Sequence, residues 1–399
     1  MNNERWLLPE GIEELLPPQA RRLEQLRREL LDLFTSWGYE LVIPSLVEYL
    51  DSLLTGMGND LELQTFKLTD QLNGRLMGVR ADITPQVARI DAHRLLDRKG
   101  PVRLCYQGTV LHTRGDGLGG SRSITQIGAE LYGHSGIESD VEMVCLMLQT
   151  LALAEVGSVY VDLGHVGIFR ALTQAAKLNP EQESALFDAL QRKAVPEISE
   201  LLASLNVDAK TRQSFEDLVW LNGESDVLSR ARQSLAGNAA ALKAVDELEQ
   251  VAERVCSQQP DLQLHFDLAE LRGYHYHTGV VFSAYHPGQG RAIAQGGRYD
   301  DIGEVFGRAR AATGFSADLR SLIALNAEKV DAKNGLAVGG VFAPVNDDPA
   351  LVLKVAELRA AGHRVVCELS GQDGGAAAVG CSQTLALKNN QWVLTKALD

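Results

Sequence analysis

The sequence has few cysteines, no CxxC pair and no long apolar run, and each absence excludes a class of protein. The cysteines are odd in number and widely spaced: Cys105, Cys145, Cys256, Cys367 and Cys381. This spacing argues against a disulfide framework or a zinc finger and favours a reducing compartment. No run of about 18 apolar residues occurs, and residues 1–10 show no basic-then-apolar pattern. We therefore expect a soluble, cytoplasmic protein with no membrane partner.

Positive charge is also scarce. Lys plus Arg total 38 against 52 for Asp plus Glu, a formal net charge of −14 with His neutral. Because phosphate contacts need a basic surface, an acidic chain is a poor general binder of nucleic acid. A Walker loop, an HExxH pair and a GxSxG elbow are absent too. Walker-type phosphate binding and zinc-protease chemistry are therefore excluded.

Two short patterns imitate known sites but lack the required context. Gly115-x-Gly117-x-x-Gly120 fits the dinucleotide fingerprint, yet a strand follows it instead of a helix, which indicates the flexible tip of a hairpin. His275 and His277 share one face of a strand, but no third Cys or carboxylate ligand lies at a matching spacing. We expect neither a metal nor a cofactor, and we interpret these histidines as pocket or surface residues.

Length and periodicity divide the chain into segments. A length of 399 residues suggests two or three domains. Residues 1–166 and 259–326 mix helical and strand patterns and are expected to form two parts of one core. Residues 167–258 are rich in Ala, Leu, Glu and Gln, which predicts a helical insertion. Residues 327–399 predict a βαβ unit and two short strands, which is enough for a small α/β domain.

Three local predictions position the motifs that follow. Thr84 is expected to cap a helix over Pro85–Asp97, with proline as its first helical residue. The runs Val102–Leu111 and Ser123–Tyr132 flank a glycine-rich tip and are expected to pair as a long antiparallel hairpin. A further helix is expected over Phe315–Asn326.

The second hairpin strand carries a polar pair. Because side chains alternate along a strand, Gln126 and Glu130 lie on one face with only Gly128 between them there. This pattern is compatible both with a polar cleft for a ligand ammonium and with a solvated sheet face.

Two later tracts are also open to two interpretations. In Arg272–Gly279, an Arg-Gly pair is followed by aromatic residues at alternating positions, which suits a pocket for a small carboxylate. The alternative is a surface turn with an exposed Arg. For Gln295–Asp300, the alternative to a binding tract is a simple glycine turn.

In their order along the chain, these segments resemble class II histidyl-tRNA synthetase over roughly residues 5 to 325. The resembling segments are Gly38–Glu48 (the first class II motif, which pairs subunits), Val79–Thr84 (LRPEGT), Gln126 with Glu130 (histidine pocket), Arg272-Gly273 with Tyr276 (RGLDYY) and Gly296–Asp300 (GGRYD). The resemblance implies an α+β fold, with an antiparallel sheet core and helices, a helical insertion and a small C-terminal α/β domain.

The departures from that family fall on its ATP site. Where the second motif has an Arg followed two residues later by a Glu, this chain has His112 and Arg114. The Arg that ends the third motif is replaced by Ser321, and Asp318 replaces a glycine. Arg320 lies one position early, which is about a 100° turn on a helix. Without a positive clamp on the triphosphate, adenylation is not expected.

A second resemblance accounts for these departures. Val79–Ile90 matches the segment Leu-Arg-Ala-Asp-Met-Thr-Pro-Gln-Val-Ala-Arg-Ile of the ATP phosphoribosyltransferase regulatory subunit family with two conservative differences. This resemblance implies a non-catalytic subunit that forms a dimer within a hetero-oligomer with a short-form catalytic subunit. It also implies activation of that partner and feedback inhibition by L-histidine. The shortened tail and the net charge of −14 argue against tRNA binding.

The same resemblance implies a set of candidate histidine-binding residues. They are Asp82, Thr84, Gln126, Glu130, Arg272 and Tyr276. The acidic and amide side chains would take the ammonium and the imidazole, and Arg272 would take the carboxylate. Tyr276 would wall the pocket, and Thr84 would add a hydroxyl contact. An effector site at a subunit contact remains an alternative, as do a divergent active synthetase and a free-standing amino-acid sensor.

Overall fold

The computed structural model describes residues 6–55, 59–115, 120–205, 207–271, 273, 276–326 and 339–397. Three residues singled out above, Gly117, Arg272 and His275, lie outside these ranges. The chain divides into two units. The first comprises Met1–Glu14 with Leu23–Ala324, and the second comprises Leu15–Arg22 with Leu325–Asp399.

The strands and helices are as follows. The strands are β1 Glu40–Val42, β2 Val47–Tyr49, β3 Phe66–Thr69, β4 Leu76–Val79, β5 Val102–Leu111, β6 Ser123–Tyr132, β7 Tyr160–His165, β8 Asn222–Gly223, β9 Gln263–Asp267, β10 Val280–Tyr285, β11 Ala294–Arg298, β12 Ala312–Asp318, β13 Val341–Ala343, β14 Val365–Cys367, β15 Gln383–Lys388 and β16 Gln391–Lys396. The helices are α1 Gln19–Ser36, α2 Leu50–Leu54, α3 Asn59–Gln64, α4 Thr84–Arg94, α5 Ile137–Leu153, α6 Val166–Ala176, α7 Pro180–Gln191, α8 Val195–Ser204, α9 Ala209–Leu218, α10 Asp226–Ser234, α11 Ala239–Gln258, α12 Leu319–Leu325 and α13 Pro349–Ala360, with a 3₁₀ turn at Glu304–Phe306.

A nine-stranded sheet, in the order β1-β5-β6-β12-β11-β10-β7-β9-β8, forms the centre of the first unit. Its pairs are antiparallel except β1 with β5 and β7 with β9. The predicted hairpin is confirmed with both its strand bounds, and its register runs from Val102 opposite Tyr132 to Leu111 opposite Ser123. Because β12 covers the other edge of β6, the polar pair of the second hairpin strand lies in the middle of the sheet.

The helix predicted over Phe315–Asn326 is wrong in its first third. Residues Ala312–Asp318 form β12, and the helix begins only at Leu319. Strand β12 pairs with β6 on one side and β11 on the other, and most of its residues are buried. A strand buried on both faces lacks the alternation of polar and apolar residues by which a strand is recognised in a sequence.

The start of α4 also differs from the prediction. Thr84 is the first helical residue and Ile83 holds the cap position, without a side-chain cap bond. Asp82 Oδ1 accepts hydrogen bonds from the Ile83 and Thr84 backbone N–H groups at 2.7 and 3.3 Å. The helix ends at Arg94, before the predicted Asp97. An aspartate two residues upstream therefore takes the role that was predicted for the threonine.

The described residues between 166 and 258 form α6 to α11 and the short strand β8. Their apolar faces pack against one another, with the Phe169 and Phe215 rings edge to face at 6.0 Å. The sequence patterns did not predict β8, a two-residue strand that adds to the sheet beside β9. The division of the chain into four segments stays a prediction.

The second unit carries a four-stranded sheet in the order β14-β13-β15-β16, with β16 antiparallel. The βαβ unit and the two short strands expected here are confirmed. A small core joins α13 to the sheet through Leu351, Val355, Leu385 and Trp392. Within the parts of the chain that the structure describes, we find no helix with the length and apolar character that a membrane crossing requires.

Candidate functional site

Glu130 is the most deeply buried of the candidate residues, with 1% of its surface exposed. It lies on β6 between Leu104 of β5 and Gly314 of β12. A Cβ atom on Gly314 would overlap the Glu130 carboxylate, so a residue without a side chain is required opposite it. Gln126 is also buried, at 9% exposure, so the solvated-face interpretation of this strand is wrong. A polar cleft that takes a ligand here stays a prediction.

Two tyrosine hydroxyls hold the Glu130 carboxylate. Tyr106 donates to Oε1 at 3.1 Å, and Tyr299 donates a short hydrogen bond to Oε2. Burial raises the pKa of Glu130 to about 8, although these hydrogen bonds act in the opposite direction. Burial dominates because a charged carboxylate loses its hydration inside the protein. A carboxyl with this pKa is largely protonated at neutral pH and can donate as well as accept a hydrogen bond.

An aromatic wall adjoins this carboxyl. The Tyr276 ring stacks on the Tyr299 ring with centroids 4.8 Å apart, and Tyr132 meets Tyr299 edge to face at 6.3 Å. The Tyr276 hydroxyl is buried and has no hydrogen-bond partner among the described residues. Buried hydroxyls are normally satisfied. This one is therefore a candidate contact for a ligand, and the surface-turn alternative stays open because Arg272 lies outside the described residues.

A second cluster of polar side chains joins β6 to the start of α4. Gln126 Nε2 donates to Asp82 Oδ1 at 2.8 Å, while Gln126 Oε1 accepts from the Ile83 N–H at 3.0 Å. Thr84 Oγ1 lies 3.0 Å from the Tyr106 hydroxyl, which connects this group to Glu130. The structure thus brings together every candidate histidine-binding residue that it describes. Arg272 lies outside the described residues, and histidine binding itself stays a prediction.

Sequence reasoning missed the role of Tyr106 and named Tyr299 only as part of a motif. The hairpin register gives the signal for Tyr106, because it faces Gly128 and so lies diagonally across from Glu130. Tyr299 follows β11, so the glycine-turn alternative for Gln295–Asp300 is wrong. No equivalent signal in the sequence pairs Tyr299 with Glu130, since the two residues are 169 positions apart.

Asp318 and Ser321 form a closed cap at the start of α12. Asp318 Oδ1 accepts from the Thr125 and Arg320 N–H groups at 3.0 and 3.1 Å. Its Oδ2 atom accepts from the Ser321 N–H and hydroxyl at 3.2 and 2.7 Å. Both carboxylate oxygens are therefore engaged within the protein.

The basic side chains at the other predicted ATP-site positions either bind backbone carbonyls or are exposed. Arg320 donates to Glu13 O at 3.1 Å, and its Nε lies 3.4 Å from Thr125 Oγ1. His112 Nε2 lies 2.9 Å from Ala81 O, which makes it the donor nitrogen of that ring. Arg114 is exposed. This arrangement presents a capping carboxylate and carbonyl-bound side chains instead of a positive clamp.

Metal binding gains no support from the geometry. Among the residues that the structure describes, no three His, Cys, Asp or Glu side chains are placed to hold one ion. His277 is half-buried, with Nδ1 3.3 Å from Arg298 O, and burial lowers its pKa to about 4.

Comparisons with known proteins cover both units. The histidyl-tRNA synthetase family model matches residues 11–322, and the model for the ATP phosphoribosyltransferase subunit HisZ C-terminal domain matches residues 338–395. An ATP phosphoribosyltransferase regulatory subunit from Thioalkalivibrio sulfidiphilus is 58% identical over 396 residues, 99% of each chain. This chain belongs to the ATP phosphoribosyltransferase regulatory subunit family. The full-length match to a curated relative decides the point.

The fold of this regulatory-subunit family member is that of class II histidyl-tRNA synthetases. A Bacillus halodurans structure described as an ATP phosphoribosyltransferase regulatory subunit/histidyl-tRNA synthetase aligns with a TM-score of 0.81 at 27% identity, covering 94% of this chain and 95% of that one. Histidyl-tRNA synthetase from a Nostoc species aligns with a TM-score of 0.77 at 20% identity, covering 98% and 97%. The expected fold class is confirmed.

The tail has its own family model, distinct from the one that matches the core. The candidate pocket lies wholly within the synthetase-like part of the chain.

Proposed function

We propose that this chain is a non-catalytic cytoplasmic subunit that activates a short-form ATP phosphoribosyltransferase and relays feedback inhibition by L-histidine. The observation that supports it best is the contrast between two regions. One is the polar pocket around Glu130, and the other is the closed Asp318 cap at a predicted ATP-site position. Transfer of an adenylyl group needs cations placed where charge develops in the transition state. Here Arg320 and His112 donate to backbone carbonyls instead, and Arg114 is exposed.

Each polar group of histidine has a candidate partner. The ammonium group suits Asp82, since a carboxylate forms strong charge-assisted hydrogen bonds. It also suits Glu130, because a cation beside that carboxyl favours loss of its proton. The imidazole suits the Tyr276 hydroxyl, which has no hydrogen-bond partner among the described residues. Arg272, whose planar fork matches a carboxylate, stays the proposed partner for the ligand carboxylate. We further propose that two copies of this chain pair through Gly38–Glu48 and that the complex does not bind tRNA.

The decisive experiment measures phosphoribosyl-ATP formation by a short-form catalytic subunit, with and without this chain, while L-histidine is titrated. We expect activation by the chain and reversal of that activation by histidine. Allosteric coupling typically amounts to about 1–3 kcal/mol, a five- to 150-fold change in affinity. No effect on the partner, together with histidine-dependent ATP–pyrophosphate exchange, would establish a synthetase instead. No effect in either assay would favour the free-standing sensor.

Paired variants locate the histidine site within that assay. Glu130→Gln keeps the shape of the side chain but removes its acid group, and we expect histidine inhibition to be lost while activation persists. Glu253→Gln is the matched control, because Glu253 is exposed on α11. If Glu130→Gln leaves inhibition unchanged, histidine acts elsewhere, for example at a subunit contact.

A further inference from the structure

A second cleft lies in the first unit, between the loop that follows α4 and the loop that precedes β12. Its volume is about 610 Å³. It is lined by residues 96–100, Gly133, Ser135, Arg308, Arg310 and Ala311. Small-molecule sites have volumes of about 300–1,000 Å³. None of the candidate histidine-binding residues that the structure describes lines this cleft. The cleft is thus large enough for a ligand and separate from the site described above.

The cleft concentrates positive charge in a chain whose net charge is −14. Its lining contains four basic residues and, among the described residues, one acidic residue, Asp97. The basic residues are Arg98, Lys99, Arg308 and Arg310. A concave surface of one charge sign raises the local concentration of oppositely charged solutes.

Neighbouring carboxylates neutralise only part of this charge. Glu40 pairs with Arg98, and Asp91 accepts from Arg310 at 2.9 and 3.2 Å. Among the described residues, neither Arg308 nor the exposed Lys99 forms an ion pair, although Asp91 also interacts electrostatically with Arg308. The cleft therefore keeps an excess of cations over carboxylates even when its immediate surroundings are included.

Backbone contacts hold the cleft in shape. Arg308 donates to the carbonyls of Leu95 and Arg98, both at 3.3 Å, and Arg310 donates to Gly100 O. These bonds fix two guanidinium planes across the loop after α4. At Gly100, where φ is +80°, a Cβ atom would meet nothing within 4 Å, so the backbone there is open to a ligand.

We propose that this cleft binds an anion that carries phosphate groups. Lys99 is its principal contact, and Arg308 adds the three N–H donors that its bonds to the Leu95 and Arg98 carbonyls do not use. Guanidinium groups in fixed positions present forks of N–H donors that match phosphate oxygens, and a lysine adds a mobile point charge. Free pyrophosphate and the triphosphate of a nucleotide share this chemistry. The inference does not depend on the proposed regulatory function.

The test is calorimetric titration of the full-length chain with sodium pyrophosphate and, separately, with ATP. Lys99→Glu reverses a charge in the cleft at an exposed position, so we expect the variant to fold and Kd to rise at least about tenfold. Lys388→Glu makes the same charge change on β15 in the second unit and should change Kd by less than about twofold. Raising the ionic strength should weaken binding to the unaltered chain.

The outcomes separate the sources of the anion. Similar affinities for pyrophosphate and ATP would assign the cleft to the phosphate groups alone, whereas a clear preference for ATP would show that the nucleoside also contacts it. Absence of binding at millimolar concentrations would overturn the proposal. Equal weakening by Lys99→Glu and Lys388→Glu would also overturn it, because net charge and not the cleft would then account for binding.

Discussion

The Glu130 pocket and the Asp318 cap occupy the same sheet but satisfy their polar groups differently. In the pocket, side chains from β5, β6 and the start of α4 hold one another, and the Tyr276 hydroxyl has no partner among the described residues. At the cap, both oxygens of the Asp318 carboxylate accept hydrogen bonds. The donors belong to Thr125 of β6 and to the first turn of α12.

On the proposed function, this difference distinguishes a pocket that binds a ligand from a cap that serves the fold. An unpartnered buried polar group destabilises the free protein by about 1–3 kcal/mol and is retained where a ligand satisfies it. A capping carboxylate stabilises the free protein and has no further need of a partner. Variants in the pocket should therefore act on histidine binding, and variants at the cap should act on stability.

The largest effect is expected from Gly314→Ala, which brings a methyl group onto the Glu130 carboxylate. Overpacking a buried site costs about 1–3 kcal/mol, so the free energy of unfolding should fall by that amount. Displacement of Glu130 should also weaken histidine binding by more than about tenfold, equivalent to about 1.4 kcal/mol. Urea unfolding and calorimetric titration with histidine measure the two quantities.

Gly290→Ala is the control for that substitution. A Cβ atom at Gly290 would meet nothing within 4 Å, so neither stability nor binding should change appreciably. If Gly314→Ala behaved like Gly290→Ala, the close approach of β12 to Glu130 would not determine the geometry of the pocket.

The pH dependence of stability tests whether the buried Glu130 carboxyl contributes to the free energy of unfolding. Burial raises the pKa of Glu130 to about 8 in the folded protein, above its ordinary value of 4.5, so the folded state binds this proton more tightly than the unfolded state does. The contribution to stability is present below the unfolded pKa and is lost as the pH rises towards 8. The slope is at most about 1.4 kcal/mol per pH unit. Urea unfolding between pH 5 and 8 should show this fall, at about that slope or less, and Glu130→Gln should flatten it.

Much of the pocket could be predicted from the sequence because it depends on local pattern. Period-two alternation placed Gln126 and Glu130 on one face, and the hairpin register confirms it. The Asp318 cap could not be predicted in the same way. Strand β12 is buried on both faces and shows no alternation, and the hydrogen bonds of Asp318 depend on where that strand ends. Substitutions in a motif indicate that a role is lost, while the new contacts become visible only in three dimensions.

A smaller effect is expected at the cap. Asp318→Ala removes the acceptor for the Ser321 and Arg320 N–H groups and should lower the free energy of unfolding by about 1 kcal/mol. Histidine affinity should stay within about twofold of the unaltered chain, which is less than 0.5 kcal/mol. Thermal unfolding and calorimetry on the same preparation test both statements. Loss of histidine binding in this variant would contradict the separation of the two regions.

The smallest change in stability, and the most specific in binding, is expected from Tyr276→Phe. Because the hydroxyl has no partner among the described residues, its removal should leave the free energy of unfolding unchanged or slightly raised. Tyr299→Phe removes a hydroxyl that donates to Glu130 and should be destabilising, which makes it the matched comparison. If histidine satisfies the Tyr276 hydroxyl, Tyr276→Phe should weaken histidine binding by about three- to tenfold, as the loss of one hydrogen bond predicts. A variant that lost stability while binding histidine normally would show that the hydroxyl serves the fold, and the pocket would then resemble the cap.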